Sequence, residues 1–504
     1  MKVGFFGNTN NYPFMLAQAL RELGHDVMFV VTSQELLNRP ESRYPDFLQG
    51  YPDWIVDAAQ ITEWDLITLS PSLAHVLDVL STCDSLVLNF IGPSLWPLLR
   101  RPAIALLTGS DLEYYANFAT VNVRTTNWDP AYRASAEGQI NLNLLREFIQ
   151  RQREGIREAA AVRYMPRGLV AAGDALLDEL GVPDERRVFL PSAELELVKP
   201  TPAPQNDPVR IFCATRLTWK LPIEPGRSLL DYKGSDTMIR GLGLFYRDTG
   251  VRVDIQLVRK GLHWAELQQL IAEEGLTDQV NWSDEMPLSE VWSEFARSDI
   301  VIEQLADSAI GGAGLDAMAA GRPVIGNARR EMFQGYFGQS SPICQAQTAE
   351  EVCAQLKRLV FDPVKREKIG RLGRRFVEEN CSPRRAAQTC LERLQSALAD
   401  RSLPGRTGTG HRYYLQRCYD DRKASQASQQ FLRDTQSALE ANHQALQTAQ
   451  TDIQTTKAVL HTTQQTLQNT QAQLLATQAN LARYQDFLPI RVLRKLHSLV
   501  KNGK

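Results

Sequence analysis

Two basic residues and a glycine-rich loop are the first candidates for chemistry in this chain. Arg216 follows the apolar run Val209–Ala214, and Lys233-Gly234 opens a helical pattern further on. A cation at a strand end and a lysine at a helix N-terminus would together neutralise a diphosphate. Later comes the stretch Ser308-Ala-Ile-Gly311-Gly312-Ala-Gly314-Leu-Asp316. Its glycines let backbone approach phosphate oxygens and offer N–H donors. Asp316, on the helix that follows, is within reach of ribose hydroxyls, from which a carboxylate can accept. Plainer readings stand beside these. Arg216 could be a surface ion-pair residue, the glycines a tight turn, and Asp316 a helix N-terminal charge favoured by the dipole.

Other chemistries are poorly matched. The turn after Phe6, G-N-T-N-N, lacks the G-x-G-x-x-G spacing that brings a dinucleotide pyrophosphate onto a helix N-terminus. No Walker motif and no D-x-D pair occurs, so neither a nucleotide-hydrolysing site nor a metal bridging a diphosphate is indicated. The formal net charge of −2 gives no whole-chain argument for nucleic acid. The seven cysteines are scattered, with no C-x-x-C pair, which reads as reduced thiols rather than a disulfide framework or zinc site. No apolar run approaches bilayer length, and the N-terminus turns polar too soon for a signal peptide. These features read as a cytoplasmic protein.

The elements that must position the candidates follow an α/β pattern. Val3–Phe6, a helical run to Leu23, and Val27–Val31 form a βαβ start. Further parallel strands are expected at Leu66–Leu69, Ser85–Leu88, Ile104–Leu107, Ala161–Tyr164 and Val188–Pro191. The proline-rich stretch 200–208 reads as a linker between a first domain, 1–199, and a second, 209–400. In the second, strands are expected at Val209–Ala214, Val253–Val258, Val280–Trp282, Ile300–Ile302 and Pro323–Ile325, with helices between. Two doubly wound, Rossmann-like sheets follow, with a cleft between the carboxyl ends of their strands.

After a second linker, 401–424, the composition shifts to Gln, Thr, Ala and Ser. One aliphatic residue then recurs at every seventh position from Leu432 through Leu439, Leu446 and Ile453 to Leu488. Thr, Asn, Ala or Tyr recurs three positions after each of the first eight. This heptad predicts a coiled coil over 425–488, roughly 85 Å of rod along its repeat, and hence a homo-oligomer or a helical partner. Low-complexity disorder is the alternative. The basic tail, 489–504, places Ile490, Leu493, Leu496 and Val500 on one face. Such a helix can sit on the anionic inner face of the plasma membrane or close a helical bundle.

Residues 1–395 resemble the GT-B glycosyltransferases, specifically the retaining family 4. The carriers are V-G-F-F-G-N with A-L-R-E-L-G-H-D-V near the N-terminus, the R-L and Y-K-G-S-D segments around Arg216 and Lys233, and G-L-D-A-M-A-A-G-R-P-V-I from Gly314. The resemblance implies a nucleotide-sugar donor held by the second domain, an acceptor on the first, and no cofactor beyond that co-substrate. Arg216 and Lys233 would hold the diphosphate and stabilise the leaving group. Gly311, Gly312, Asp316 and Glu303 would contact the donor, and Gly7 and Asn8 would border the cleft on the acceptor side. Asp111, after the strand Ile104–Leu107, would lie near the reacting sugar, accepting a hydrogen bond from it or deprotonating the acceptor. The chain departs from the family at Ser308, where a glutamate is usual, and in its longer gap between Arg216 and Lys233.

The function read from this is transfer of a sugar from a nucleotide-sugar to a glycan or lipid-linked acceptor, with retention, in cell-envelope or exopolysaccharide synthesis. The Ser308 departure keeps a second reading open, a degenerate pair of domains carrying a coiled-coil scaffold. A sugar-nucleotide epimerase is a third.

Overall fold

The computed structural model describes residues 1–109, 111–220, 232–306, 310–400, 410–485 and 488–501. Ser110, Ser308 and most of the segment between Arg216 and Lys233 therefore lie outside the described residues.

Runs of apolar residues on both faces make buried parallel strands, and the chain has two sets of them. The first set is β1 (Lys2–Phe6), β2 (Asp26–Val31), β3 (Ile55–Asp57), β4 (Ser85–Asn89), β5 (Ala103–Leu106), β6 (Ala161–Arg163) and β7 (Arg187–Val188). The second is β8 (Arg210–Cys213), β9 (Asp254–Val258), β10 (Val280–Ser283), β11 (Ile300–Ile302), β12 (Val324–Gly326) and β13 (Cys344–Gln345). The sheets are ordered β3-β2-β1-β4-β5-β6-β7 and β10-β9-β8-β11-β12-β13. Every pairing is parallel, as in Val3 with Val27 on one side and Ser85 on the other. Strand order reverses between β1 and β4 in one sheet and between β8 and β11 in the other. Diverging connections leave a crevice at such a switch point, and both crevices open at the carboxyl ends of the strands.

Two expected strands are absent where they were placed. Leu66–Leu69 lies in and just after a helix, Glu63–Thr68, started by a capping box in which Thr62 and Asp65 exchange hydrogen bonds. The strand in that part of the chain is the short edge β3. The strand expected at Val188–Pro191 sits earlier, as β7, which pairs with β6 through Val162–Arg187 and Arg163–Val188.

The core also draws the domains differently from the composition. Ala193 and Val198, upstream of the proline-rich stretch, pack with Phe212, Val301 and Met318 of the second domain. The chain crosses back near its end, where Ala386, Ala387, Cys390 and Leu394 of the helix Pro383–Ala399 join the core of the first sheet beside Phe5, Phe14 and Leu20. The chain thus joins the second core before residues 200–208 and returns to the first core near its end.

Residues 1–421 form one compact unit and 422–504 another. The helix Gly410–Gln485 runs through more than half of the stretch expected to be linker. Along it Leu439, Leu446, Ile453, Leu460, Leu467, Leu474 and Leu481 are each more than half exposed. A second helix spans Leu488–Lys501, so Leu488, the last heptad residue, starts this shorter helix.

Candidate active site

A cleft of about 710 Å³ lies where the two switch points face each other, and it takes lining from both sheets. That size suits a ligand larger than a simple sugar.

The second domain contributes the more charged wall. The chain leaves β8 through Thr215 and Arg216, and Arg216 is exposed at the rim. The Leu217 N–H donates to the Lys260 carbonyl at 2.7 Å, and the Lys233 N–H donates to the Thr218 carbonyl at 2.8 Å. The Lys233 carbonyl accepts from the Leu305 N–H at 3.0 Å, which ties this residue to the exit of β11. Gly234 then starts the helix Ser235–Thr249 in the left-handed region, φ 68°. A Cβ there would lie 3.1 Å from the Ala306 nitrogen, so glycine is needed for both reasons. The Lys233 side chain is thereby aimed across β11, and its ammonium donates to Gln304 Oε1 at 2.7 Å.

Glu303 follows β11 and is buried. Burial pushes its carboxyl up, to about 7, against the pull of the Lys233 ammonium and the N–H groups of Gly311 and Gln304. The glycine loop fits around it. A Cβ on Gly311 would collide with Glu303 Oε1, and one on Gly314 would lie 3.0 Å from Glu303 Cγ. Gly311 is thus glycine because Glu303 occupies the space, not only to admit a ligand. Gly312, the first residue of the helix Gly312–Ala319, has nothing within 4 Å of its Cβ position and stays open to the cleft.

Asp316 sits differently from the reading that its spacing suggested. Its Oδ1 accepts from the Glu194 N–H at 2.9 Å, and its Oδ2 accepts from Trp292 Nε1 at 2.9 Å. Burial raises this carboxyl to about 6, while the Trp292 bond and the nearby Arg43 charge pull it down. Both oxygens already serve protein donors. A ribose hydroxyl would have to use the remaining lone pairs.

On the first wall, Gly7 holds φ 83°, and a Cβ there would approach the Asn89 carbonyl to 3.0 Å. Asn89 Oδ1 accepts from the Thr9 N–H at 2.8 Å, closing the switch-point turn. Asn8 lines the cleft, but its amide is engaged. It donates to Asn11 Oδ1 and the Asn38 carbonyl, and its Oδ1 accepts from the Phe14 N–H at 3.1 Å. Its part is to hold the loop around Asn38. Asp111 Oδ2 accepts from the Thr108 N–H at 2.9 Å and the Thr108 hydroxyl at 3.1 Å. Burial raises the Asp111 carboxyl, which is the direction a proton acceptor requires.

Three cations were missed by the sequence reading. Arg163 ends β6, donates to the Leu107 carbonyl at 2.9 Å, and lies 4.9 Å from the Tyr12 ring centre. A charge ending an otherwise apolar strand was its signal. Lys260 follows β9 as Arg216 follows β8, and its ammonium lies 3.3 Å from Glu285 and 3.6 Å from Glu35 of the first domain. Arg43 is buried, pairs with Glu194 and stands 5.9 Å from the Trp292 ring centre. Nothing in its loop sequence marks it. Among the described residues, no three His, Cys, Asp or Glu side chains are grouped to hold a metal ion.

Residues 227–376, most of the second domain, match the family model of the glycosyl transferases group 1. The solved structure of HepE from Anabaena with UDP and glucose is similar to this chain at 16% identity and a TM-score of 0.51. The likeness covers 79% of this chain and all of HepE, 100% of it. Sucrose-phosphate synthase from Thermosynechococcus elongatus is similar at 13% identity and a TM-score of 0.50, over 79% of this chain and 99% of its own. A glycosyltransferase from Rickettsia africae gives 13% and 0.50, over 79% of this chain and 98% of its own. The fold is GT-B. No match is found among curated protein sequences. In this GT-B frame the helix Pro383–Ala399 returns to the first sheet, and the cleft between the sheets is the candidate active site.

Proposed function

We propose that the protein transfers a sugar from a nucleotide-sugar to a glycan or lipid-linked acceptor, with retention and without a metal, in cell-envelope or exopolysaccharide synthesis. The observation that carries this is the second-domain switch point. There Lys233, fixed at both backbone groups, and the open helix start at Gly312 face one cleft beside Arg216. Two cations beside a helix N-terminus suit a diphosphate better than they suit a neutral ligand. The group 1 family match supports the sugar-transfer class, and the UDP in HepE supports a nucleotide donor. Charge builds on the leaving diphosphate during transfer, so fixed cations there lower the barrier directly. Asp111 and Arg163 face the acceptor half. The exposed heptad seam fits a second copy of this chain; light scattering that returns a monomer would remove that part.

The donor reading is tested by thermal shift against UDP, GDP, ADP and their sugars in EDTA, with Arg216→Ala alongside. One nucleotide should raise the melting temperature and lose that effect in the variant. The engaged Asp316 oxygens favour the second reading, a degenerate pair carrying a scaffold. No shift with any nucleotide would make that reading the better one.

A further inference from the structure

We propose that the helix Leu488–Lys501 is a docking element for the surface of an anionic lipid bilayer. Its sequence is LPIRVLRKLHSLVK. At about 100° per residue, Val492, Leu493, Leu496, Leu499 and Val500 fall within an arc of roughly 120°. Arg494, Lys495 and Lys501 fall on the opposite side. No Asp or Glu occurs in the helix. The five apolar side chains are between 51% and 79% exposed.

The coil does not account for this face. Its seam is one aliphatic residue in seven. Continued past Leu488, the same register reaches Lys495, which lies on the basic side. A partner that pairs along the seam therefore leaves the broad apolar arc unmet. The helix is 14 residues long, too short to cross a bilayer. Among the described residues no helix is long and apolar enough to cross one. An apolar arc backed by Arg494, Lys495 and Lys501, with no opposing acid, fits a helix lying in the headgroup plane. Each of these cations near an anionic surface strengthens binding about fivefold.

The test is sedimentation of the full chain with vesicles of phosphatidylcholine alone, or mixed with phosphatidylglycerol, without any nucleotide or acceptor. Binding is thus scored apart from catalysis, and a chain with no transferase activity should still bind. The protein should sediment with the anionic vesicles and not with the neutral ones. Binding should fall between about 0.1 M and 1 M salt, as the screening length drops from about 10 Å to 3 Å. Arg494→Gln with Lys495→Gln should weaken binding about 25-fold, and Leu496→Asp should abolish it, both with unchanged assembly mass. Equal binding to both vesicle types, or to neither, overturns the proposal. So does a Leu496→Asp chain that keeps its lipid binding or changes assembly mass, since the arc would then be a protein contact.

Discussion

Replacing Lys233 by methionine tests the proposed donor site. Methionine keeps most of the apolar stem and removes only the ammonium, which is 2.7 Å from Gln304 Oε1 and pulls the buried Glu303 carboxyl down. A hydrogen bond to a charged group contributes about 1.5–3 kcal/mol. At about 1.4 kcal/mol per tenfold, loss of one such contact weakens diphosphate binding roughly 10- to 150-fold. The assay is calorimetric titration, without metal, of the nucleoside diphosphate that shifts the wild type, followed by its parent nucleoside. The diphosphate should weaken by that factor, and the nucleoside should stay within about twofold, because it presents nothing for the ammonium to hold. A second signature is internal. Without Lys233 the Glu303 carboxyl rises further, so the variant should lose stability on the alkaline side relative to wild type. Equal weakening of diphosphate and nucleoside would mean that the variant has lost the shape of the turn, not a phosphate contact. No weakening of either would refute the placement of the diphosphate beside Lys233.

Glu303→Gln should change the dependence of stability on pH. Burial raises the native Glu303 carboxyl from its ordinary value near 4.5 to about 7, so the folded state binds the extra proton. A raised carboxyl favours folding below its unfolded value and loses that advantage as pH climbs through the native one. In urea denaturation the variant should gain on the wild type between about pH 5 and 8, by on the order of a few kcal/mol; parallel curves would show that Glu303 ionises normally. Trp292→Phe should cost about 1–3 kcal/mol by leaving the Asp316 oxygen without its indole donor. A cycle with Asp316→Asn should then show coupling above about 0.5 kcal/mol, whereas additive losses would deny that bond.

Much of the frame was legible because it depends on local pattern. Ile300–Ile302 is a strand at its expected bounds, since three consecutive β-branched residues have no polar face to show solvent. The helix from Gly234 was legible from a glycine start and helical spacing. Leu66–Leu69 was misread because a short apolar run fits a strand and a helix face equally. The deciding signal was polar and lay outside the run, in the Thr62 and Asp65 capping box. The placement of Lys233 between a turn and a helix start was legible because local chain pattern sets it. It was not legible at Asn8, whose amide is spent on a loop about thirty positions away.

What the sequence determined by itself is therefore the order of most strands and helices, the heptad and the basic amphipathic tail. Each follows from spacing over a few turns of chain. What only the tertiary structure decided is which charges share the cleft and how each is engaged. The Glu194 N–H reaches Asp316 across 122 positions, and the Leu288 N–H reaches the Ser42 hydroxyl across 246. No local periodicity carries such pairings. They exist because two sheets, each turning its switch point inward, bring distant loops to one place, where burial favours whatever polar partner packing supplies.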